Sequence, residues 1–370
     1  MKKFRLLDAA DTEDYESWLR TWSEWPLREV FAHPEYVKLF ARECDRSICA
    51  VQENADGLIM LPLILRPLSA EEWTGEGDQN FDVVAPYGFG GPYVLGRYDM
   101  EEFWRDLQNW AVETAVISAF FRFSPYAADI SEFIDTVEIC GGNVIRSLTE
   151  GRDEIWKDYK HAVRTCVRSA EKSGVTVQFD EVGESFPDFI RLYYQTMQRC
   201  NATPQYYFPA DFFRKIATQL SGQFFLAHAM YRGEVIASKM VLLSHDHIYP
   251  FLGGVDDAFL KLNPNQLLDT HIFNWGIEQD KKSSVLGGGH EGYDGVFQYK
   301  KKFAPSGVVP YRIGKHIFDP VVYQSLCARR KNYESEHEQL WTDNGTFFPA
   351  YRAGVINLSA GAVGIKGGIA

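Results

Sequence analysis

The stretch Val285-Leu-Gly-Gly-Gly-His-Glu-Gly-Tyr-Asp-Gly-Val-Phe-Gln-Tyr-Lys-Lys-Lys-Phe303 restricts what this chain can become more than any other. Val285 and Leu286 read as the end of a short buried strand. Gly287, Gly288 and Gly289 then allow a tight turn with bare backbone that a ligand can approach closely. Val296, Phe297, Tyr299 and Phe303 recur at helical spacing, so a short helix would bury aromatic rings and show the ammonium groups of Lys300, Lys301 and Lys302 beside that turn. On a helix these three lysines point about 100° apart, so only one can face the glycines squarely. From the residues alone the stretch reads equally as an anion site and as a plain loop followed by a solvated lysine face.

The 370-residue chain is long enough for two ordinary domains, and 45% hydrophobic residues supply two packed cores. A net charge of −12 disfavours a surface that grips nucleic acid throughout, although a local basic groove can sit on an acidic body. The longest aliphatic run, Leu58 to Leu65, is interrupted by Pro62 and falls far short of the ~20 residues of a membrane helix. The N-terminus has no apolar segment long enough for a secretory signal, and cytoplasm is the expected location. The six cysteines form no Cys-x-x-Cys pair and do not cluster with histidines, so neither zinc nor a disulfide framework is expected.

Along the first half, the order expected is strand (4–7), helix (12–22) and a second helix from His33-Pro34 to about Arg42. A hairpin follows, Ser47 to Glu53 and Leu58 to Arg66, turning at Asn54-Ala-Asp-Gly57. Asp82 to Pro92 is one strand end followed by a Gly/Pro-rich segment bearing Tyr87 and Phe89. Helix (100–114), strand (116–123), helix (130–140) and strand (143–148) complete this half. Asp153 to Ser173 then reads as one amphipathic helix. Its apolar stripe runs through Ile155, Tyr159, Val163 and Val167, while Lys160, Arg164, Arg168 and Lys172 recur every four residues on another face. Like charges so spaced repel, so the row calls for a facing anion or acidic residues, unless it is simply solvated.

The second half continues strand (175–179), two helices (185–200, 209–220) and strands at 223–231, 234–243 and 247–252. A long helix to about Gln279 has Asn263 as its expected cap and Pro264 in its first turn. Laid side by side, the halves repeat one order of elements. Residues 319–338 read as a further helix, and Ala353 to Ala370 as a loose end.

Gly287-Gly-Gly289, then Asp294-Gly295-Val296-Phe297, Tyr299-Lys300 and Phe303, resemble the closing motif of FemAB-like transferases, in which a glycine triplet precedes Asp-x-Leu/Val-Phe-x-Phe/Tyr-Lys-x-x-Phe. Asp82 to Pro92 resembles that family's Asp-x-x-x-x-Tyr-Gly-Tyr/Phe-Gly-Gly-Pro segment. Arg164, Arg168, Ala170, Lys172 and Gly174 match its Arg-x-x-x-Arg-x-Ala-x-Lys-x-Gly pattern. The family belongs to the GNAT superfamily and includes aminoacyl-tRNA-dependent enzymes that build peptidoglycan cross-bridges.

The resemblance implies an α/β (α+β) fold made of two tandem GNAT-like mixed-sheet domains, residues 1–150 and 151–318, with 319–370 as a C-terminal helix and tail. It implies an N-acyltransferase that moves an activated acyl or aminoacyl group to an amine of a cell-envelope precursor, nucleotide sugar or small metabolite, with the cleft near the junction of the halves. Lys300 would stabilise negative charge, with Asp294 as its catalytic companion. Arg164, Arg168 and Lys172 would hold a phosphate-bearing substrate, and Tyr87, Tyr206, Asn265, Gly287, Gly288 and Gly289 would line or orient it.

The acyl donor would be a cosubstrate, aminoacyl-tRNA or acyl-CoA, with no bound cofactor or metal. Leu262-Asn-Pro-Asn-Gln266 stands where a GNAT pyrophosphate loop, Gln/Arg-x-x-Gly-x-Gly/Ala, would precede the long helix, and this departure argues against acetyl-CoA. An acyl-CoA-dependent enzyme and a non-catalytic binding protein with this fold are the alternatives. The chain has no Gly-x-Ser-x-Gly, His-Glu-x-x-His or P-loop, and His245, His247, His271 and His290 each read as structural.

Overall fold

The computed structural model describes residues 3–75, 77–127, 130, 134, 136–289, 292–341 and 347–357. The chain divides into two compact units, one of residues 1–24, 31–138 and 312–370, the other of 25–30 and 139–311.

In chain order the first unit holds β1 (Lys3–Asp8), α1 (Thr12–Glu24), α2 (Pro34–Leu39), β2 (Arg46–Glu53), β3 (Gly57–Pro67), β4 (Phe81–Val84), β5 (Tyr93–Gly96), α3 (Met100–Glu113) and β6 (Val116–Arg122). The β2–β3 hairpin forms where the Asn54-to-Gly57 signal places it. Asn54 Oδ1 accepts from the N–H groups of Asp56 and Gly57, both at 2.8 Å, and thereby fixes the turn. β1 to β4 pair antiparallel in order, β4 pairs β6 in parallel, and β5 adds to β3. Phe103 and Leu107 of α3 pack on this sheet with Leu61, Leu63 and Phe121.

The second unit follows: β7 (Val137–Ser147), α4 (Arg152–Asp158), α5 (His161–Lys172), β8 (Thr176–Asp180), α6 (Phe186–Arg199), α7 (Ala210–Gln219), β9 (Phe224–Tyr231), β10 (Glu234–Leu243), β11 (His247–Val255), α8 (Pro264–Glu278), β12 (Ser283–Gly287) and α9 (Gly295–Lys301). β8 to β11 pair antiparallel in order and β11 pairs β12 in parallel, so the strand pattern of the first unit is repeated. α5 and α8 cover one face, with Val163, Val167, Leu268, Ile272 and Phe273 in the core. This is the tandem GNAT architecture that the repeated element order implied.

The closing strands depart from the boundaries at 150 and 318. Residues 139–147 of β7 belong to the second unit, where the strand pairs β12. β13 (Val308–Ile317) contributes its last residues to the first unit, pairing β6. α10 (Pro320–Glu336), β14 (Gln339–Trp341) and β15 (Val355–Asn357) also belong to the first unit rather than standing apart, since Leu326 and Tyr351 pack with Leu68, Trp73 and Ile117. β15 pairs β14, so residues 355–357 are a strand, not a loose end.

Two helices expected from periodicity are not there as such. Val137 to Cys140 is strand, because β7 runs unbroken through Gly141 and Gly142. The helix of residues 153–173 is two, broken at Tyr159 and Lys160, both with extended ψ near 140°. The apolar stripe passes through the break because Tyr159 is itself buried, against Phe273 and Phe303. Asn263 occupies the position before α8 in a left-handed conformation but makes no side-chain cap, and its amide instead donates to Lys261 O at 3.3 Å. Among the described residues no helix is long and apolar enough to cross a membrane, and no cluster of three metal-binding side chains occurs.

Candidate active site

The glycine triplet closes β12 at a bulge against β7, and Gly287 takes a φ of +73° that a residue with a Cβ adopts at a cost. A Cβ at Gly288 would come within 2.9 Å of Gly142 O, and one at Gly289 would overlap Asp294 Oδ1. The triplet is therefore required by close backbone packing as well as by the turn. Asp294 caps α9, its Oδ1 accepting from the N–H of Phe297 at 2.9 Å. With the helix start so fixed and Phe297 buried, the rotation of α9 is set.

Of the three lysines, Lys300 faces the turn and Lys301 and Lys302 are exposed. Lys300 Nζ donates to Gly288 O at 2.6 Å and lies 3.7 Å from where a Cβ of Gly287 would be. It is not a surface ammonium: burial, with the Lys239 ammonium nearby, pulls its pKa down to about 8, against the opposing pull of Asp269 and Asp294.

Behind it lies a group that motif reading passed over. Asp269 of α8 is buried, accepts from Lys239 Nζ at 2.5 Å and from the Tyr299 hydroxyl at 2.7 Å, and so joins β10, α8 and α9. The signals were present in the sequence: a carboxylate in the apolar run Leu267-Leu-Asp-Thr-His-Ile272, and a lysine within the buried strand β10. Burial beside the Asp269 carboxylate holds the Tyr299 phenol far above its ordinary range, so it remains a donor.

The cationic row is only partly available. Lys160 lies outside α5. Arg164 Nη1 donates to the carbonyls of Lys157 (2.9 Å), Trp156 (3.4 Å) and Tyr159, and so satisfies the C-terminus of α4. Arg168 lies over the Trp156 ring at 5.4 Å, and both it and Lys172 are exposed. Asn265 is half-buried in the first turn of α8, and Tyr206 is half-buried in a short 3-10 turn, where burial raises its pKa. Tyr87 belongs to the first unit, stacked on Phe40 at 5.3 Å. His290 lies outside the described residues. His247 is a packed side chain bonded to Ser283 Oγ at 2.9 Å.

Residues 157–301 match the model of the acetyltransferase (GNAT) domain. No curated protein matches the sequence. Among solved structures, FemX aligns with a TM-score of 0.63 at 13% identity, covering 84% of this chain and 98% of its own. The chain shares the fold of FemX. The C-terminal domain of a putative lysylphosphatidylglycerol synthetase from Agrobacterium fabrum aligns with a TM-score of 0.54 at 14% identity, over 83% of this chain and 94% of its own. A conserved protein of unknown function from Bacteroides thetaiotaomicron gives 0.55 at 12%, over 85% and 99%. The segment that matches the GNAT model contains α5, α8, Lys239, Asp269 and all of α9, and hence the whole lysine–carboxylate group.

Proposed function

We propose that the protein is an N-acyltransferase that passes an activated acyl or aminoacyl group to the amine of a cell-envelope precursor or related small molecule, and that it works in the cytoplasm. The observation that carries this reading is the half-buried Lys300 ammonium beside the bare backbone of Gly287 and Gly288. In the reaction the neutral amine attacks the donor's carbonyl carbon, and the oxygen takes up negative charge. A cation held in a low-dielectric pocket stabilises that charge far more than water does. Collapse then breaks the bond to the donor's leaving oxygen or sulfur, which takes up the proton that the nitrogen gives up. The Asp269 carboxylate keeps Lys239 and Tyr299 in place around the lysine and opposes further loss of its charge. Asp294 acts by setting the angle of α9.

The motif resemblance to the aminoacyl-tRNA-dependent FemAB-like transferases, together with the fold shared with FemX, favours an aminoacyl donor, with tRNA as its carrier. The GNAT acetyltransferase match over residues 157–301 favours acyl-CoA as the second reading. Incubating the protein with a panel of amines and either charged tRNAs or acyl-CoAs, and following product mass, separates the two. Product from aminoacyl-tRNA alone establishes the first. Product from acyl-CoA alone transfers the assignment to the second, and no product from either pool rejects both.

A further inference from the structure

The first unit has a half-open cavity of about 370 Å³, remote in sequence from the Lys300 group, with Tyr87 among its lining residues. Five arginines line it, Arg42, Arg66, Arg122, Arg330 and Arg352, against two carboxylates, Asp45 and Glu71. Arginines collected around a void are costly to desolvate unless each is paired or meets a ligand. Much of the pairing is present: Asp82, fully buried, accepts from Arg66 Nε at 2.6 Å and from Arg352 Nε at 2.5 Å, while Arg352 Nη1 meets Glu71 at 2.5 Å.

The pairing leaves donors over. Arg352 has a side chain only 9% exposed, and its Nη2 is buried with no hydrogen-bond partner among the described residues. Arg330 Nε, in the same wall, is in the same condition, although its Nη2 reaches Glu334 at 2.8 Å. Buried donors in folded proteins are nearly always satisfied, so two orphaned guanidinium nitrogens on arginines of one cavity wall, each shielded from solvent until its side chain turns, leave donors that an incoming acceptor can satisfy. The opposite part of the lining is apolar: Phe40, Ile64, Val84, Tyr87 and Phe347.

We propose that this cavity binds a compact monocarboxylate with an apolar body, its carboxylate on Arg352 and Arg330 and its body against the Phe40–Tyr87 stack. The volume suits a small ligand. Asp45, Glu71, Asp82 and Glu334 pair with four of the five arginines and leave about one net positive charge, which suits a monoanion better than phosphate. Arg330 and Arg352 both come from the chain's last segment, so the site exists only when that segment is docked on the first unit. The proposal stands whether or not the second unit transfers an acyl group.

Calorimetric titration of the full chain with phenylacetate, inorganic phosphate and 2-phenylethylamine tests it. Phenylacetate is expected to bind, phosphate about 10-fold more weakly or worse, and the amine not at all, with phenylacetate affinity falling as salt is raised. Arg352→Gln should abolish binding. Because that change also strips partners from Asp82 and Glu71 and can unfold the unit, circular dichroism is recorded alongside, and Tyr87→Ala provides a second test that leaves the ion network intact. It should weaken phenylacetate by about 10-fold. Absence of phenylacetate binding, phosphate binding as tight as phenylacetate, or unchanged affinity in Tyr87→Ala each overturns the proposal.

Discussion

Lys300 Nζ is held 2.6 Å from the carbonyl oxygen of Gly288, so the lysine of the helix and the glycine of the turn form one unit rather than two neighbouring motifs. A carbonyl acceptor can hold an ammonium in place without neutralising it. The same proton-rich group can then serve a second, developing oxyanion.

Replacing Lys300 with Met should accordingly lower turnover by about 10²- to 10³-fold, the loss expected when one charge-stabilising donor is removed. The fold should survive, because an apolar side chain of similar length relieves the burial of a charge. Lys302→Met, at an exposed position, should leave turnover unchanged. Thermal midpoints measured with the rates separate catalysis from stability. Equal rate losses at the two positions would remove Lys300 from the reaction.

The lowered pKa of Lys300 gives a pH signature. With a value of about 8 in the folded protein, the ammonium is complete below that pH and is lost as pH rises through it. If the charged form is the working one, kcat should fall along a limb centred near pH 8, and Lys300→Arg should move that limb to higher pH because a guanidinium stays charged. A rate that instead rises through the same pH would make the neutral amine a proton acceptor and reverse the assignment.

What was legible in the sequence was local or repeated. The Asn54–Gly57 hairpin follows from its turn residues, and the doubled order of elements follows from counting. Three features were hidden by patterns that continue across a structural change. The buried stripe through Tyr159 masks the break between α4 and α5, and the Gly141-Gly142 pair makes the first part of β7 read as the end of a helix. Lys239 and Asp269 are distant in sequence from the glycine triplet, so only the parallel pairing of β11 with β12 and the packing of α8 reveal that they stand behind Lys300.

Gly289→Ala and Gly295→Ala should differ sharply although only six positions separate them. A Cβ at Gly289 collides with the Asp294 carboxylate that caps α9, whereas one at Gly295 meets nothing within 4 Å. The first should cost about 1–3 kcal/mol, as overpacking does, and lower activity by tilting Lys300; the second should be silent. Denaturant midpoints with activity on the same samples check this, and a stable, active Gly289→Ala would show that the turn yields.

The arginine row should separate in the same way. Arg164→Gln removes the donor that satisfies three carbonyls at the end of α4, so it should lower the thermal midpoint and leave the salt dependence of KM unchanged. Arg168→Gln and Lys172→Gln, at exposed positions, should do the reverse if the row holds a phosphate-bearing substrate. Salt titrations of KM for all three variants decide it, and a flat response in every one would leave the row as a solvated face.

Asp269 is the position where stability and chemistry should be most tightly joined. It is almost wholly buried and accepts from Lys239 at 2.5 Å and Tyr299 at 2.7 Å. Asp269→Asn leaves the Lys239 ammonium in the interior without its counter-charge, and breaking one side of such a pair costs about 3–5 kcal/mol. Removing Asp269 together with Lys239, as Asp269→Leu with Lys239→Met, takes both charges out and should recover most of that loss. The electrostatic effect on Lys300 differs between the two. Asp269 raises the Lys300 pKa and Lys239 lowers it, so the single variant should move the alkaline limb of kcat below pH 8 and the double variant should return it towards the wild-type position. A purely structural Asp269 would lower the amount of folded protein but leave the limb where it was. The pH profile of kcat, taken on the folded fraction of each variant, therefore distinguishes a carboxylate that tunes the lysine from one that only braces α8.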